Sequence, residues 1–407
     1  MGNWSELCND VLGLIVDQFS AVEDVVHFGA VCRPWRSVSV KKLHFSTIAD
    51  PWLMLAEKED SDSRGFYSLS TQKVYQLNLP EARGRKCWSS CSWLITLGLD
   101  LEFHLLNPFS REQIRLPPQP TLPGQYSPNV SPEIIRRVFI QKVILSSRPS
   151  CSSAKTIPCE DDDKCVVMAI CSEFRKLAFL RLGDEVWTPV ESDNGIYDVV
   201  YFNGQFYAIT YGGELLIVDI SSPHPKTIEF AKHGEGINIG GYLYLVESVG
   251  ELFLVAQEIY VDCASATNNN GIHETDGFDV YKFNFDNRKW TQVKNSLDNR
   301  ALFVGFNDSF TIFPSKNHLG CEPNCIYFTD IDLYGLMKDG AGHDMGVFRM
   351  DTEEFDDHYV GPDIFTRVCA PLWICPSIKD CIKKKYNTRT FPVASSSITR
   401  VEGHLGI

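Results

Sequence analysis

Fourteen cysteines, ten histidines and a surplus of carboxylates are the residues of this 407-residue chain with covalent or metal chemistry to offer. Thiols and imidazoles hold zinc when they recur in pairs a few residues apart, because a tetrahedral site takes its ligands from tight turns. No such pairing occurs. There is no Cys-x-x-Cys, no histidine pair accompanies the cysteines, and the nearest approach to a cluster (Cys151, Cys159, Cys165 and Cys171) has irregular gaps. Cys87 with Cys91 and Cys321 with Cys325 read as small apolar strand residues. Lacking a secretory signal, the chain is expected to keep its thiols reduced. Among the acids, Asp219 and Asp279 lie in strand-like runs and would suit a glycosidase pair if they met; scattered surface carboxylates are the commoner case. Gly-x-Ser-x-Gly, His-Glu-x-x-His, a phosphate loop and Gly-x-Gly-x-x-Gly after a strand are all missing. No catalytic residue, cofactor or metal is expected.

What remains is non-covalent chemistry, and it concentrates at the N-terminus. Leu7, Val11, Leu12, Ile15 and Phe19 fall on one wide stripe of a helix, while Asp10, Asp17 and Gln18 lie off it. Ser20 and Glu23 have capping-box spacing, which starts a second helix, and Glu23 and Asp24 suit its positive end. Pro34 fits the first turn of a third. The second and third helices add Val25, Phe28, Val31, Cys32 and Trp35. About ten large apolar side chains in some forty residues exceed what so small a unit can hide. Such a stripe either packs on its own chain as a cap or waits for a partner protein; the second reading is preferred.

Read in order, Trp4-Ser5-x-Leu7-x-x-Asp10-Val11-Leu12-x-x-Ile15 and Asp24-Val25-Val26-x-Phe28-x-x-Val31-Cys32-x-x-Trp35-Arg36-Ser37 resemble an F-box. The match covers about a tenth of the chain. The resemblance implies docking to the SKP-type adaptor of a cullin–RING ubiquitin ligase, with Leu7, Val11, Leu12, Ile15, Val31, Cys32 and Trp35 forming or supporting the docking face. Cys8 departs from the family, which usually has proline there to preset the helix start. One buried aliphatic side chain contributes roughly 1.5–3 kcal/mol, so the rest of the stripe tolerates that loss.

From Asp50 onward short runs of Val, Ile, Tyr, Phe and Trp alternate with Gly, Asn and Asp turns. Asn203-Gly204, between Val199–Phe202 and Gln205–Ile209, is a type I′ hairpin signal. Gly212-Gly213 and Asn307-Asp308 punctuate two more hairpins, so antiparallel meanders are expected. A looser unit recurs, an apolar strand, a polar turn and a strand with an anchor. Its instances run from Phe103–Pro108 to Ile114, Leu177–Leu180 to Trp187, Leu215–Asp219 to Ile228, Val280–Phe283 to Trp290 and Gly346–Met350 to Phe355. The fold class expected is mainly β with a small all-α N-terminal domain, a three-helix unit followed by a six- or seven-bladed β-propeller. A pair of packed β-sheets is the structural rival.

Asn324–Asp330, then Asp344–Phe348, then Ala370–Ser377 follow the order seen in the plant domain of unknown function 295, the KIB-type β-propeller, which commonly follows an F-box. The two resemblances support each other. Boundaries are set at 1–45 for the helices, 50–376 for the propeller and 377–407 for a basic, disordered tail containing Lys383-Lys384-Lys385. Three loops are expected: Pro117–Pro132 with its six prolines, Ser146–Lys164 with an acidic run, and Ala266–Gly277.

The net charge of −14 and pI near 5.2 argue against a nucleic-acid surface. No apolar run is long enough to span a membrane, and Glu6 breaks the myristoylation pattern. The reading is a substrate-recognition subunit of an SKP–cullin–F-box ubiquitin ligase, inside the cell in cytoplasm or nucleus. Its helices dock the adaptor, its propeller holds a substrate protein, and no nucleic acid or membrane takes part. The alternative is a propeller hydrolase capped by the helices.

Overall fold

The computed structural model describes residues 7–16, 28, 31–32, 34–35, 38, 51–58, 61–149, 165–261, 273–314, 320–331, 343–362, 364–366 and 368–376. Within them the chain winds through six sheets in succession. The first contains β1 (Trp52–Met54), β2 (Ser63–Ser68) and β3 (Lys73–Asn78), and the second β4 (Lys86–Ser90), β5 (Trp93–Leu97), β6 (Phe103–Leu106) and β7 (Gln113–Leu116). Strands β8 (Ile140–Leu145), β9 (Val166–Cys171), β10 (Lys176–Arg181) and β11 (Thr188–Val190) make the third. The fourth is β12 (Ile196–Phe202), β13 (Gln205–Thr210), β14 (Leu215–Asp219) and β15 (Lys226–Ala231). The fifth is β16 (Tyr242–Ser248), β17 (Glu251–Val261), β18 (His273–Asn284) and β19 (Lys289–Val293). The sixth is β20 (Ala301–Val304), β21 (Phe310–Ile312), β22 (Cys325–Phe328), β23 (Gly346–Arg349) and β24 (Phe355–Asp356). Strand β25 (Leu372–Ile374) then returns to pair antiparallel with β1, Leu53 opposite Trp373. The two ends of the β region thus share one sheet, which closes the ring. This is a six-bladed β-propeller, not seven blades and not a two-sheet sandwich.

Burial follows the architecture. Strands β4 and β5 are buried at every position, whereas β3, β7, β15 and β19 are mostly exposed or half-buried. An inner strand has a neighbouring blade on both faces and so reads as a continuous apolar run, while the outermost strand is an edge in water. Six apolar clusters fill the six gaps between consecutive sheets. Strand β13 shows the period of two: Phe206 and Ala208 pack toward the third sheet, Tyr207 and Ile209 toward the fifth. At about 1.5–3 kcal/mol per fully buried large side chain, these gaps dominate the stability of the ring.

The Asn203-Gly204 turn takes positive φ at both residues, 48° and 81°, as a type I′ hairpin requires. All five recurring anchor units prove to be the outer hairpins of blades, with Leu105 opposite Ile114, Ile217 opposite Ile228, Phe283 opposite Trp290 and Phe348 opposite Phe355; β10 and β11 carry the fifth.

Three expectations need correction. Strand β20 pairs parallel with β22, because β21 folds back to the inner position before the chain crosses outward; that blade is not a simple meander. Residues 273–277 are strand rather than loop: β17 and β18 extend one long hairpin in which the Thr275 hydroxyl accepts from Gln257 Nε2 and donates to Asp344 Oδ2. The proline-rich stretch stays out of the sheets but ends in a short helix, α2 (Pro132–Val138), following α1 (Asn9–Val16); proline occupies its first turn and Arg136 and Arg137 its last. The predicted loop residues 150–164 and 266–272, and the tail from 377, lie outside the described residues.

Candidate functional site

Helix α1 carries three of the predicted docking residues, Val11, Leu12 and Ile15; Leu7 precedes it and Val31, Cys32 and Trp35 follow it in the chain. Leu12 and Val16 are buried on a small core with Phe28 and Val38, and Leu7, Ile15 and Trp35 pack half-buried against it. The Trp35 ring stacks on Phe28 at 4.3 Å. Val11 and Val31 are exposed, at 40% and 62%, as is Leu14 at 67%, while Cys32 is half-buried and Cys8 exposed. The seven predicted residues therefore divide by role: Leu12 holds the segment together, Val11 and Val31 face outward, and Leu7, Ile15, Cys32 and Trp35 lie between. Among the described residues, the members of this core all come from residues 7–38. Apart from Phe28, Val31, Cys32, Pro34, Trp35 and Val38, the second and third helices predicted from the sequence fall outside the described residues.

The predicted acids do not form a site. Asp219 ends β14 and accepts from the Ser221 amide and hydroxyl, which hold its carboxyl below the usual range. Asp279 sits on β18 of the next blade and accepts from Gln292 and Tyr281. The ten described cysteines are all free thiols; Cys87 and Cys325 are buried strand residues as expected, whereas Cys321 is buried outside a strand and Cys91 is half-buried in the turn after β4.

Polar chemistry instead gathers where the inner strands meet. The β20–β21 connection, Gly305 to Ser309, does not turn in solvent but crosses to the far side of the ring. Phe306 joins the cluster between the second and third sheets, Asn307 bridges to Ser89 of β4, and the Ser90 hydroxyl donates to Asp308 at 2.7 Å. Gly305 makes this path possible: its φ is 147°, and a Cβ there would stand 2.1 Å from Thr329 Oγ1. Facing this plug, Lys142 Nζ of β8 lies 2.5 Å from Asp198 Oδ1 of β12, with side-chain exposures of 7% and 2%. Asp198 also accepts the amides of Val199 and Leu245, each at 2.8 Å. Burial pushes its carboxyl up, opposed by Lys142 and by these amide bonds. Burial likewise pushes Asp308 up to about 6, opposed by Lys142 and the Ser90 hydroxyl. Nearby, Lys86 is lowered to about 7 by complete burial; its ammonium donates to the carbonyls of Arg137 and Ile140.

A model of the KIB1-4 beta-propeller family matches residues 66–349. The chain belongs to that family. In Arabidopsis thaliana it is similar to the F-box protein SKIP23, 26% identical over 390 residues, spanning 86% of this chain and 89% of that one. It is also similar to F-box protein At2g26160, 27% identical over 351 residues and spanning 80% and 95%. This is the plant pairing of an F-box with a KIB-type propeller that the two sequence resemblances imply. Among solved structures, the β-propeller domain of Myceliophteria thermophila Cps50 (Swd1) overlays 77% of this chain and 87% of its own at 10% identity, with a TM-score of 0.36.

Sequence reasoning missed the channel residues of this KIB-type propeller. Their signal was a charge inside a mainly apolar inner-strand run, Lys142 within Ile140–Leu145 and Asp198 within Ile196–Phe202. A lone charge in such a run needs a partner, and here each supplies the other.

Proposed function

We propose that this protein is the substrate-recognition subunit of an SKP–cullin–F-box ubiquitin ligase, with residues 1–45 docking the SKP-type adaptor and residues 50–376 holding a substrate protein. The exposed apolar side chains of Val11 and Val31, on a segment whose described core members all come from residues 7–38, support the docking half of this reading. So do the relatives named as F-box proteins. Leu7, Ile15, Cys32 and Trp35 are half-buried in the same segment and would be covered when the adaptor binds; Leu12 would keep the helix in place from below. A large apolar side chain moving from water into such an interface contributes roughly 1.5–3 kcal/mol, so a few of them suffice for a stable contact. The ligase reaction needs no catalytic residue from this chain. Tethering raises the effective concentration of substrate lysines beside the charged conjugating enzyme. Such a protein works in cytoplasm or nucleus. Among the described residues no helix is long and apolar enough to cross a membrane.

The test uses the exposed pair, because a polar substitution there does not disturb the fold. Val11→Asp/Val31→Asp should retain the melting temperature of the parent within a few degrees and lose co-purification with an SKP-type adaptor. Full adaptor retention by the folded double variant would refute the docking face. Hydrolysis of a glycan or ester that co-elutes with the purified full chain would favour the enzyme reading instead.

A further inference from the structure

A cavity of about 140 Å³ lies between the starts of strands β8, β12 and β16 and the β20–β21 plug, its wall including Gln141, Lys142, Arg175, Tyr197, Asp198 and Tyr242, with Tyr244, Phe306 and Ile331 completing it. Its construction is specific. Strand β8 slips register between Ile140 and Lys142, and strand β12 between Ile196 and Asp198, so each inserts one extra residue. Those extra residues are Gln141 and Tyr197, both in the cavity wall. Bulges re-aim side chains at particular sites, and two successive blades bulge at this one place.

The wall also holds polar atoms without protein partners. Lys142 is more than nine-tenths buried, and beyond its charge contact with Asp198 no acceptor among the described residues takes its remaining N–H bonds. Gln141 donates through Nε2 to the carbonyls of Val138 and Ser172, but its Oε1 receives no donor. Buried groups of this kind are ordinarily satisfied by water or a ligand. Among the described residues, Asp198 and, behind the wall, Asp308 both oppose the charge of Lys142, so Arg175 is the cation of the wall left without a carboxylate. Its guanidinium rests on the rings of Tyr197 and Tyr211 at 5.1 and 5.3 Å, and no carboxylate pairs with it among the described residues. The remaining wall is aromatic and aliphatic. Arg175, Tyr197, Tyr242 and Ile331 are half-buried and lie where solvent reaches the opening.

We propose that this cavity is a binding site for a small organic carboxylate about one aromatic ring in size. The volume sets the size, since an engineered cavity of ~150 Å³ takes up benzene. The carboxylate places its oxygens on Lys142 and Arg175, and the ring lies among Tyr197, Tyr242, Tyr244 and Phe306. Gln141 Oε1 accepts from any hydroxyl the ligand carries. Occupancy would fasten the channel plug to strands β8, β12 and β16, coupling the ligand to the face of the propeller around the channel mouth. This site is independent of the N-terminal docking segment.

The experiment is titration calorimetry on the full chain with benzoate, benzamide and acetate. Benzoate should bind saturably at one site per chain, and benzamide and acetate each at least about tenfold more weakly, one lacking the charge and the other the ring. Arg175 has φ 48°, a backbone conformation that asparagine accepts. Arg175→Asn should therefore keep its melting temperature and weaken benzoate at least about tenfold. Tyr242→Trp, which narrows the mouth, should reduce binding again without unfolding. No saturable heat with benzoate up to about 10 mM would overturn the proposal. Equal affinities for benzoate and benzamide, or for benzoate and acetate, would do so as well.

Discussion

Replacing Lys142 by methionine probes the electrostatics of the channel directly. The ammonium lies 2.5 Å from Asp198, both side chains are more than nine-tenths buried, and it also draws down the carboxyl of Asp308. At an effective dielectric constant near 20 the gross attraction of such a pair is roughly 6–7 kcal/mol, and desolvation of both groups offsets part of it. Removing one partner of a buried pair strands the other, at a cost of about 3–5 kcal/mol. Lys142→Met should therefore destabilise the chain by that amount at pH 7.5. The loss should shrink as pH falls: burial already raises the Asp198 carboxyl, and without the lysine it takes up a proton more readily. Asp198→Asn added to Lys142→Met removes the stranded charge and keeps one acceptor for the amides of Val199 and Leu245. One amide is then left unbonded, at about 1–3 kcal/mol. The double variant should accordingly be more stable than Lys142→Met alone, a coupling of about 2 kcal/mol or more. Urea unfolding followed by tryptophan fluorescence, with equal m-values among the variants, measures each corner of the cycle. A Lys142→Met cost below about 1 kcal/mol, or a double variant whose losses simply add, would refute the account.

Two further expectations concern the closing blade. His358 is buried against Trp373 with its Nε2 bonded to the Phe328 carbonyl, and burial lowers its pKa to about 4. The unfolded chain takes a proton near pH 6.5 and the folded chain only near 4, so stability should decline by up to roughly 3 kcal/mol as pH falls across that window. His358→Gln should flatten that part of the profile in acid-dependent urea melts. An unchanged profile would show that the imidazole titrates freely. Trp373 is fully buried, edge-on to Phe303 and Tyr327 in the strand that completes the first sheet. Trp373→Ala should cost about 3–5 kcal/mol and open the ring to limited proteolysis between the first and sixth blades. Parent-like protease resistance would mean that the closure does not depend on that ring.

Local chemistry was legible in the sequence wherever neighbours along the chain decide the outcome. Asn203-Gly204 accepts positive φ without side-chain strain, so that hairpin could be read from two letters. The outer hairpins ending at Ile114, Ile228, Trp290 and Phe355 were legible for the same reason, since each pairs strands only a few residues apart. The apolar stripe of α1 was legible as a helical period, though which of its members point outward was not. Tertiary structure decided the rest. Six blades rather than seven follows from β25 meeting β1 across more than three hundred residues of chain, a pairing no local signal encodes. Asn307-Asp308 reads as a surface turn by composition, yet it is drawn across the ring, where the Ser89 carbonyl accepts the Asp308 amide and the Ser90 hydroxyl donates to the Asp308 carboxylate. The bulges at Gln141 and Tyr197 leave no mark in the strand pattern either. An extra residue changes which way a side chain points only relative to the partner strand, and the partner is known only once the sheet has formed.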